Sequence, residues 1–243
     1  DYDSDGDLDI LLTGWNGTGA IARVYRNDGG AFADSGSVDD ALVGISGTGG
    51  SRAVWGDYDS DGDLDILLTG WNGTSGVSKV YRNDGGLFTD SGSADDALTG
   101  VYDGSAAWGD YDNDGDLDIL LTGWDGSVPV SSVYRNDNGV FADSGIVDDT
   151  LIDVRYSGVA WGDYDDDGDL DILLAGRKLD GSGVANVYRN QDCVPFTVAD
   201  HTPVTNTVAA PLDSSVVLTY SADIDAATVT SHTVAVHSMM QGL

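Results

Sequence analysis

Apolar residues fall in short runs along this chain, divided by glycine, aspartate and serine. No stretch carries the 3.6-residue period of an amphipathic helix or the heptads of a coiled coil. One unit shows the pattern best. Ser105–Gly109 reads as a first strand, Asp110–Asp118 as an acidic loop, and Ile119–Gly123 as a buried second strand. Asp125-Gly126 marks a turn, Ser131–Asn136 a third strand, Asp137-Asn-Gly139 a tight turn and Val140–Asp143 a fourth strand. Val147–Leu151 leads to the next unit. Valine, threonine and aromatic residues are plentiful, so the pattern predicts an all-β chain.

The unit recurs. Its acidic loop starts at Asp1, Asp57, Asp110 and Asp163, at spacings of 56, 53 and 53 residues. Val-Tyr-Arg-Asn of the third strand returns at Val24, Val80, Val133 and Val187. The first copy lacks its first strand, and the fourth departs from the pattern after Asn190. Four short strands per unit of about 50 residues is the sequence form of a propeller blade, which buries its faces against its neighbours.

The loops carry the candidate chemistry. Each places aspartate at positions 1, 3, 5, 7 and 9: Asp1, Asp3, Asp5, Asp7 and Asp9; Asp57, Asp59, Asp61, Asp63 and Asp65; Asp110, Asp112, Asp114, Asp116 and Asp118; Asp163, Asp165, Asp167, Asp169 and Asp171. Such a density of carboxylates repels itself unless a cation sits among them, and oxygen-only ligands suit a hard ion such as Ca²⁺. Glycine at position 6 allows the sharp turn that points positions 1, 3 and 5 at one centre. The carbonyl of position 7 can add an oxygen, and position 9 closes the shell. The pattern starts as an EF-hand loop does but places leucine, not glutamate, at position 12. About four Ca²⁺ sites are expected, each joining strand to strand.

Composition sharpens this. All 42 acidic residues are aspartate, and 20 of them fill the odd positions of the loops. The formal charge is −32, and four Ca²⁺ would bring it only to −24, so nucleic acid and anionic membrane are poor partners. Cys193 is the only cysteine, which excludes a disulfide framework within the chain. No apolar run reaches membrane-spanning length. The chain opens inside a repeat, so its natural start is expected upstream and no leader can be read. Multi-site calcium binding fits a compartment where calcium is millimolar, hence an extracellular, secreted or cell-surface location.

Trp-Gly-Asp-Tyr-Asp-x-Asp-Gly-Asp-Leu-Asp-Ile-Leu, followed by Val-Tyr-Arg-Asn, resembles the FG-GAP/VCBS repeat family, which includes the propeller of integrin α-subunits. The resemblance covers residues 1 to about 192. It implies a β-propeller, commonly of about seven blades, with calcium between the first two strands of a blade. It assigns side-chain oxygens to Asp57, Asp59, Asp61 and Asp65 and a carbonyl to Asp63, with the other loops matching position for position. Four units do not close such a ring. The fold expected is therefore a partial β-propeller over 1–196, followed at 197–243 by a segment that resembles an incomplete bacterial Ig-like sandwich.

The remaining motifs are weighed similarly. Trp55, Trp108 and Trp161 precede the loops and suit packing between blades. Trp15, Trp71 and Trp124 end the second strands and are the better carbohydrate candidates. Arg26, Arg82, Arg135 and Arg189, one per unit, suggest buried or interblade ion pairs with aspartate. Asn16-Gly-Thr18 and Asn72-Gly-Thr74 match the glycosylation sequon, but also read as turns. His201, His232 and His237 lie outside the repeats, and no Gly-x-Ser-x-Gly occurs. The expected function is a non-enzymatic, calcium-binding module for adhesion or ligand display, with a protein or carbohydrate partner. The alternative is a carbohydrate-binding or lyase-type propeller whose active residues lie elsewhere.

Overall fold

The computed structural model describes residues 1–36, 41–45, 52–145, 150–190, 198–202 and 217–220. The chain divides into two compact units, Asp1–Cys193 and Val194–Leu243. In the first, four antiparallel sheets follow one another, and each is a simple meander. Sheet one holds β1 (Ile10–Trp15), β2 (Ala20–Asp28) and β3 (Ala31–Asp34). Sheet two holds β4 (Arg52–Gly56), β5 (Asp65–Trp71), β6 (Gly76–Asp84) and β7 (Leu87–Asp90). Sheet three holds β8 (Tyr102–Gly109), β9 (Asp118–Trp124), β10 (Pro129–Asp137) and β11 (Val140–Asp143). Sheet four holds β12 (Arg155–Gly162), β13 (Asp171–Arg177) and β14 (Gly183–Tyr188). These are the blades of a partial propeller, and the chain is all-β. The first blade lacks a first strand, as its sequence implies.

The core lies between blades. Side chains alternate along a strand, so the run Ile66-Leu67-Leu68 serves two junctions at once. Ile66 and Leu68 pack with Tyr2, Val24 and Phe88 between blades one and two. Leu67 packs with Tyr58, Ile119, Leu121 and Phe141 between blades two and three. Leu120 does the same with Ile172 and Leu174 between blades three and four. Each such fully buried aliphatic side chain contributes roughly 1.5–3 kcal/mol. A strand buried on both faces needs an unbroken apolar run, which is why the second strands read as Ile-Leu-Leu.

β8 starts earlier than the sequence pattern predicts, and β12 shares its irregularity. In β8 the pairing slips between Tyr102↔Trp124 and Ser105↔Thr122, and β12 slips between Arg155↔Arg177 and Gly158↔Ala175. Both slips are bulges holding a left-handed residue, Asp103 (φ 54°) or Tyr156 (φ 50°). In the second unit, β15 (Val198–Thr202) pairs antiparallel with β16 (Val217–Tyr220). Most of the segment expected to resemble an Ig-like sandwich, 197–243, lies outside the described residues, as does most of the lead-in at 147–151.

Candidate metal sites

The four loops share one backbone. Position 4 is left-handed in every copy: Ser4, Ser60, Asn113 and Asp166 have φ of 57–58°. The glycine at position 6 has φ of 96–100° throughout, a conformation that favours glycine. In the second loop, Asp57 at position 1 accepts the backbone N–H of Asp61 on Oδ1 at 3.1 Å and that of Gly62 on Oδ2 at 3.0 Å. Asp61 at position 5 accepts the N–H of Asp63 at 3.0 Å. The equivalent bonds recur in the other loops.

Position 9 ties the loop to the sheet. The buried Asp65 carboxylate accepts the N–H of Tyr58 on Oδ2 at 3.0 Å and that of Asn83 in β6 on Oδ1 at 2.8 Å. Asp9, Asp118 and Asp171 repeat both bonds. Burial pushes Asp65 and Asp118 up to about 7, against the opposing effect of those two N–H donors. Position 7 turns away: Asp7, Asp63 and Asp116 accept the N–H of Gly29, Gly85 and Asn138 at 2.7–2.9 Å, which fixes the hairpin between strands three and four. In the fourth copy Asp169 instead accepts from Nδ2 of Asn113 in the neighbouring loop at 2.8 Å.

The remaining carboxylate oxygens converge. One oxygen each from Asp1, Asp3 and Asp5 lies within 4.8 Å of the others, and the same holds for Asp57, Asp59 and Asp61. In the third and fourth loops the sets are Asp110, Asp112 and Asp118, and Asp163, Asp165 and Asp171. Oδ1 of Asp3, Asp59 and Asp112, all at position 3, is buried with no hydrogen-bond partner. Burial is also the main cause that raises the pKa of Asp59 and Asp112. A buried carboxylate oxygen without a donor is costly, and a hard cation at the convergence point would relieve it. The donor set therefore fits Ca²⁺.

A model of the FG-GAP-like repeat matches residues 1–68, 57–121 and 110–174. The chain belongs to the FG-GAP-like repeat family. Each matched span runs from one acidic loop to the second strand of the next blade, so a single FG-GAP match crosses one junction between blades. No curated protein matches the chain closely enough to add a relative.

The other FG-GAP motifs sort by position. The arginines are neither buried nor interblade: from half-exposed sites Arg26, Arg82 and Arg189 reach the loop of their own blade, and Arg135 pairs with Asp137 of its own hairpin. Arg82 lies 3.0 Å from Asp59, 3.1 Å from Asp61 and 2.9 Å from Asp84. Arg26 faces Asp3 and Asp5 at 3.5 and 3.9 Å, and Arg189 faces Asp165 at 3.2 Å. Strand three lies beside the loop in the meander, so the pair forms within one blade. At most one guanidinium against five carboxylates, or six in the fourth loop, leaves each loop strongly negative. Trp55, Trp108 and Trp161 stack on Tyr2, Tyr58 and Tyr111 of the preceding blade at 6.2–6.4 Å. Trp71 packs edge-on against Tyr102 at 5.0 Å, and Arg155 lies 4.3 Å over Trp124. Asn16 and Asn72 accept backbone N–H groups within their turns, which accounts for the sequon residues.

Sequence reasoning missed the asparagine of Val-Tyr-Arg-Asn. Nδ2 of Asn83 donates to the carbonyl of Tyr2 in the preceding loop at 2.8 Å, and Asn136 to that of Tyr58 at 2.7 Å. Asn190 reaches Tyr111 at 2.6 Å. The tyrosine of the same motif holds the incoming connector: the Tyr81, Tyr134 and Tyr188 hydroxyls accept the N–H of Val43, Thr99 and Ile152. The signal was the invariance of the whole tetrapeptide across four copies, of which only the arginine invited a chemical reading.

Proposed function

We propose that this FG-GAP propeller segment is a calcium-binding module for adhesion or ligand display on a secreted or surface-borne protein. The observation that carries the reading is the buried, unpartnered Oδ1 of Asp3, Asp59 and Asp112, set among converging carboxylates. Asp57, Asp59, Asp61 and Asp65, with the matching residues of the other loops, would hold the ion through side chains. Position 7 would offer its carbonyl, since its side chain is committed to the hairpin or, in the fourth loop, to Asn113. Bound Ca²⁺ supplies structural charge neutralisation, not chemistry on a substrate. In this reading the module is not an enzyme, and its ligand is a protein or a carbohydrate. Among the described residues, no helix is long and apolar enough to cross a membrane. Calorimetric titration of the metal-stripped chain with CaCl₂ tests the proposal. It should show about four sites, and Asp59→Ala should remove one. No heat and no uptake of ⁴⁵Ca in equilibrium dialysis would overturn it.

A second reading, glycan binding, has its own observation. Tyr156 and Arg177 line an open cavity of about 480 Å³ with Gly176, Gly181 and Gly183, and the guanidinium of Arg155 lies 5.3 Å from the centroid of the Tyr156 ring. An exposed aromatic face beside a guanidinium suits a sugar carrying a carboxylate. Retention on immobilised acidic polysaccharide, lost in Tyr156→Ala, would support it.

A further inference from the structure

The third and fourth acidic loops share a side-chain bond that, among the described residues, joins no other pair of loops. Position 4 is serine in the first two loops, asparagine in the third and aspartate in the fourth, and it is left-handed in all four. The longer Asn113 side chain reaches into the next blade, where its Nδ2 donates to Oδ1 of Asp169 at 2.8 Å. In the first three loops the aspartate at position 7 instead accepts an N–H of its own hairpin. The fourth copy departs from the repeat after Asn190, and its position-7 residue, Asp169, is only 3% exposed. Oδ2 of Asp169 is buried with no hydrogen-bond partner, so the Asn113 amide is what satisfies this carboxylate. A hydrogen bond to an ionised acceptor is among the stronger kinds, and a buried charge that loses its donor is costly.

We propose that Asn113 couples calcium binding in loops three and four, so that an ion in either loop raises the affinity of the other. The inference rests on the calcium reading of the loops. Asn113 stands between Asp112 and Asp114, two residues that would hold the third ion, and Asp169 would give its carbonyl to the fourth. Repulsion among the carboxylates opposes a closed loop, and an ion at their centre favours it. Closing loop three sets Asn113 at its left-handed φ of 58° with Nδ2 on Asp169. Opening loop three withdraws that donor and leaves a buried charge unsatisfied in loop four. Closed loop four is therefore favoured when loop three is closed, and such coupling is reciprocal. A change of about fivefold in each affinity is the modest end of what coupled sites show. Loops one and two carry serine at position 4 and should fill independently.

Titration of the metal-stripped, ¹⁵N-glycine-labelled chain with CaCl₂ tests this by NMR, because the position-6 glycines Gly6, Gly62, Gly115 and Gly168 report the four loops separately. Gly115 and Gly168 should shift along one common curve, while Gly6 and Gly62 follow simple hyperbolas. Fivefold coupling between two equal sites corresponds to a Hill coefficient of about 1.4. Asn113→Ser installs the residue that loops one and two carry at the same φ, so it should keep all four sites and return the Gly115 and Gly168 curves to hyperbolas. Asn113→Asp installs the residue of loop four, sets a carboxylate against Asp169 and should drop the coefficient to 1 or below. Circular dichroism checks that each variant is folded. Hyperbolic Gly115 and Gly168 curves in the parent chain, or a folded variant that keeps the parent's coefficient, would overturn the coupling and leave the calcium reading standing. Glycine amides that do not respond to calcium at all would overturn both.

Discussion

Asp65 and Asp118 occupy the ninth loop position, where both carboxylate oxygens already accept backbone N–H groups and the surroundings are dry. Burial lifts them to about 7 from an ordinary 3.8, and Asp59, Asp112 and Asp153 move the same way. The folded state then holds protons that the unfolded state has released. The contribution of these carboxylates to the stability of the metal-free chain is full below about pH 4 and is lost as pH rises through about 7. After calcium is stripped on a chelating resin, the melting temperature should climb as pH drops from 8 to 5, and added calcium should flatten or reverse that slope. A flat profile without calcium would show that these carboxylates are better solvated than their burial implies. The asparagine of Val-Tyr-Arg-Asn gives a second prediction. Asn136 bonds a carbonyl of the preceding blade, while Asn27 bonds only within its own. An unpaired buried carbonyl costs about 1–3 kcal/mol, so Asn136→Ala should lose about that much more stability in urea than Asn27→Ala. Equal losses would mean the interblade bond contributes nothing. This role was not legible in the sequence because the partner, Tyr58, lies 78 residues away.

At the level of elements, the strand order was readable because one strand type has a distinct signature. Ile-Leu-Leu is apolar on both faces, and the loop before it and the turn after it fix its ends. The first strand was read too short in blade three, because a bulge breaks the alternation at Asp103, and a like bulge recurs in blade four at Tyr156. The role of the glycine beside the strand-one tryptophan was legible only in space. A Cβ added at Gly109 would sit 2.6 Å from Cδ1 of Trp161, and one at Gly56 equally close to Trp108. At Gly162 it would meet nothing within 4 Å. All three glycines stand in Trp-Gly pairs, yet only two bear a neighbouring indole. Gly109→Ala should therefore destabilise by about 1–3 kcal/mol through overpacking, while Gly162→Ala should stay within about 0.5 kcal/mol of the parent. Chemical denaturation of the two variants decides it, and a harmless Gly109→Ala would mean that the junction can shift to admit the methyl group.

Across the repeat array, the two inner blades each supply half of two cores, and the loops of blades one and two are covered by the next blade's tryptophan, phenylalanine and asparagine. The number and period of blades were legible from the loops alone. Which face meets which was not, since that depends on alternation within strands that are apolar on both sides. On the proposed reading, this arrangement would couple metal binding to stability. Each loop holds five or six aspartates against at most one arginine, so repulsion opposes the fold that the junctions favour. An ion that binds only the folded state stabilises it by about 1.4 kcal/mol per site at tenfold excess over Kd, or roughly 5–6 kcal/mol for four sites, comparable with the stability of a whole domain. Removing calcium should lower the melting temperature sharply. Magnesium should rescue poorly, because it demands a tight octahedral shell and gives up water reluctantly. Asp61→Ala should weaken the second loop and leave part of the calcium response in the other three. Thermal melting in calcium, in magnesium and in chelator reads all of this at once. Superimposable curves would mean that the loops are acidic turns held by their own N–H groups and arginines, with no ion required.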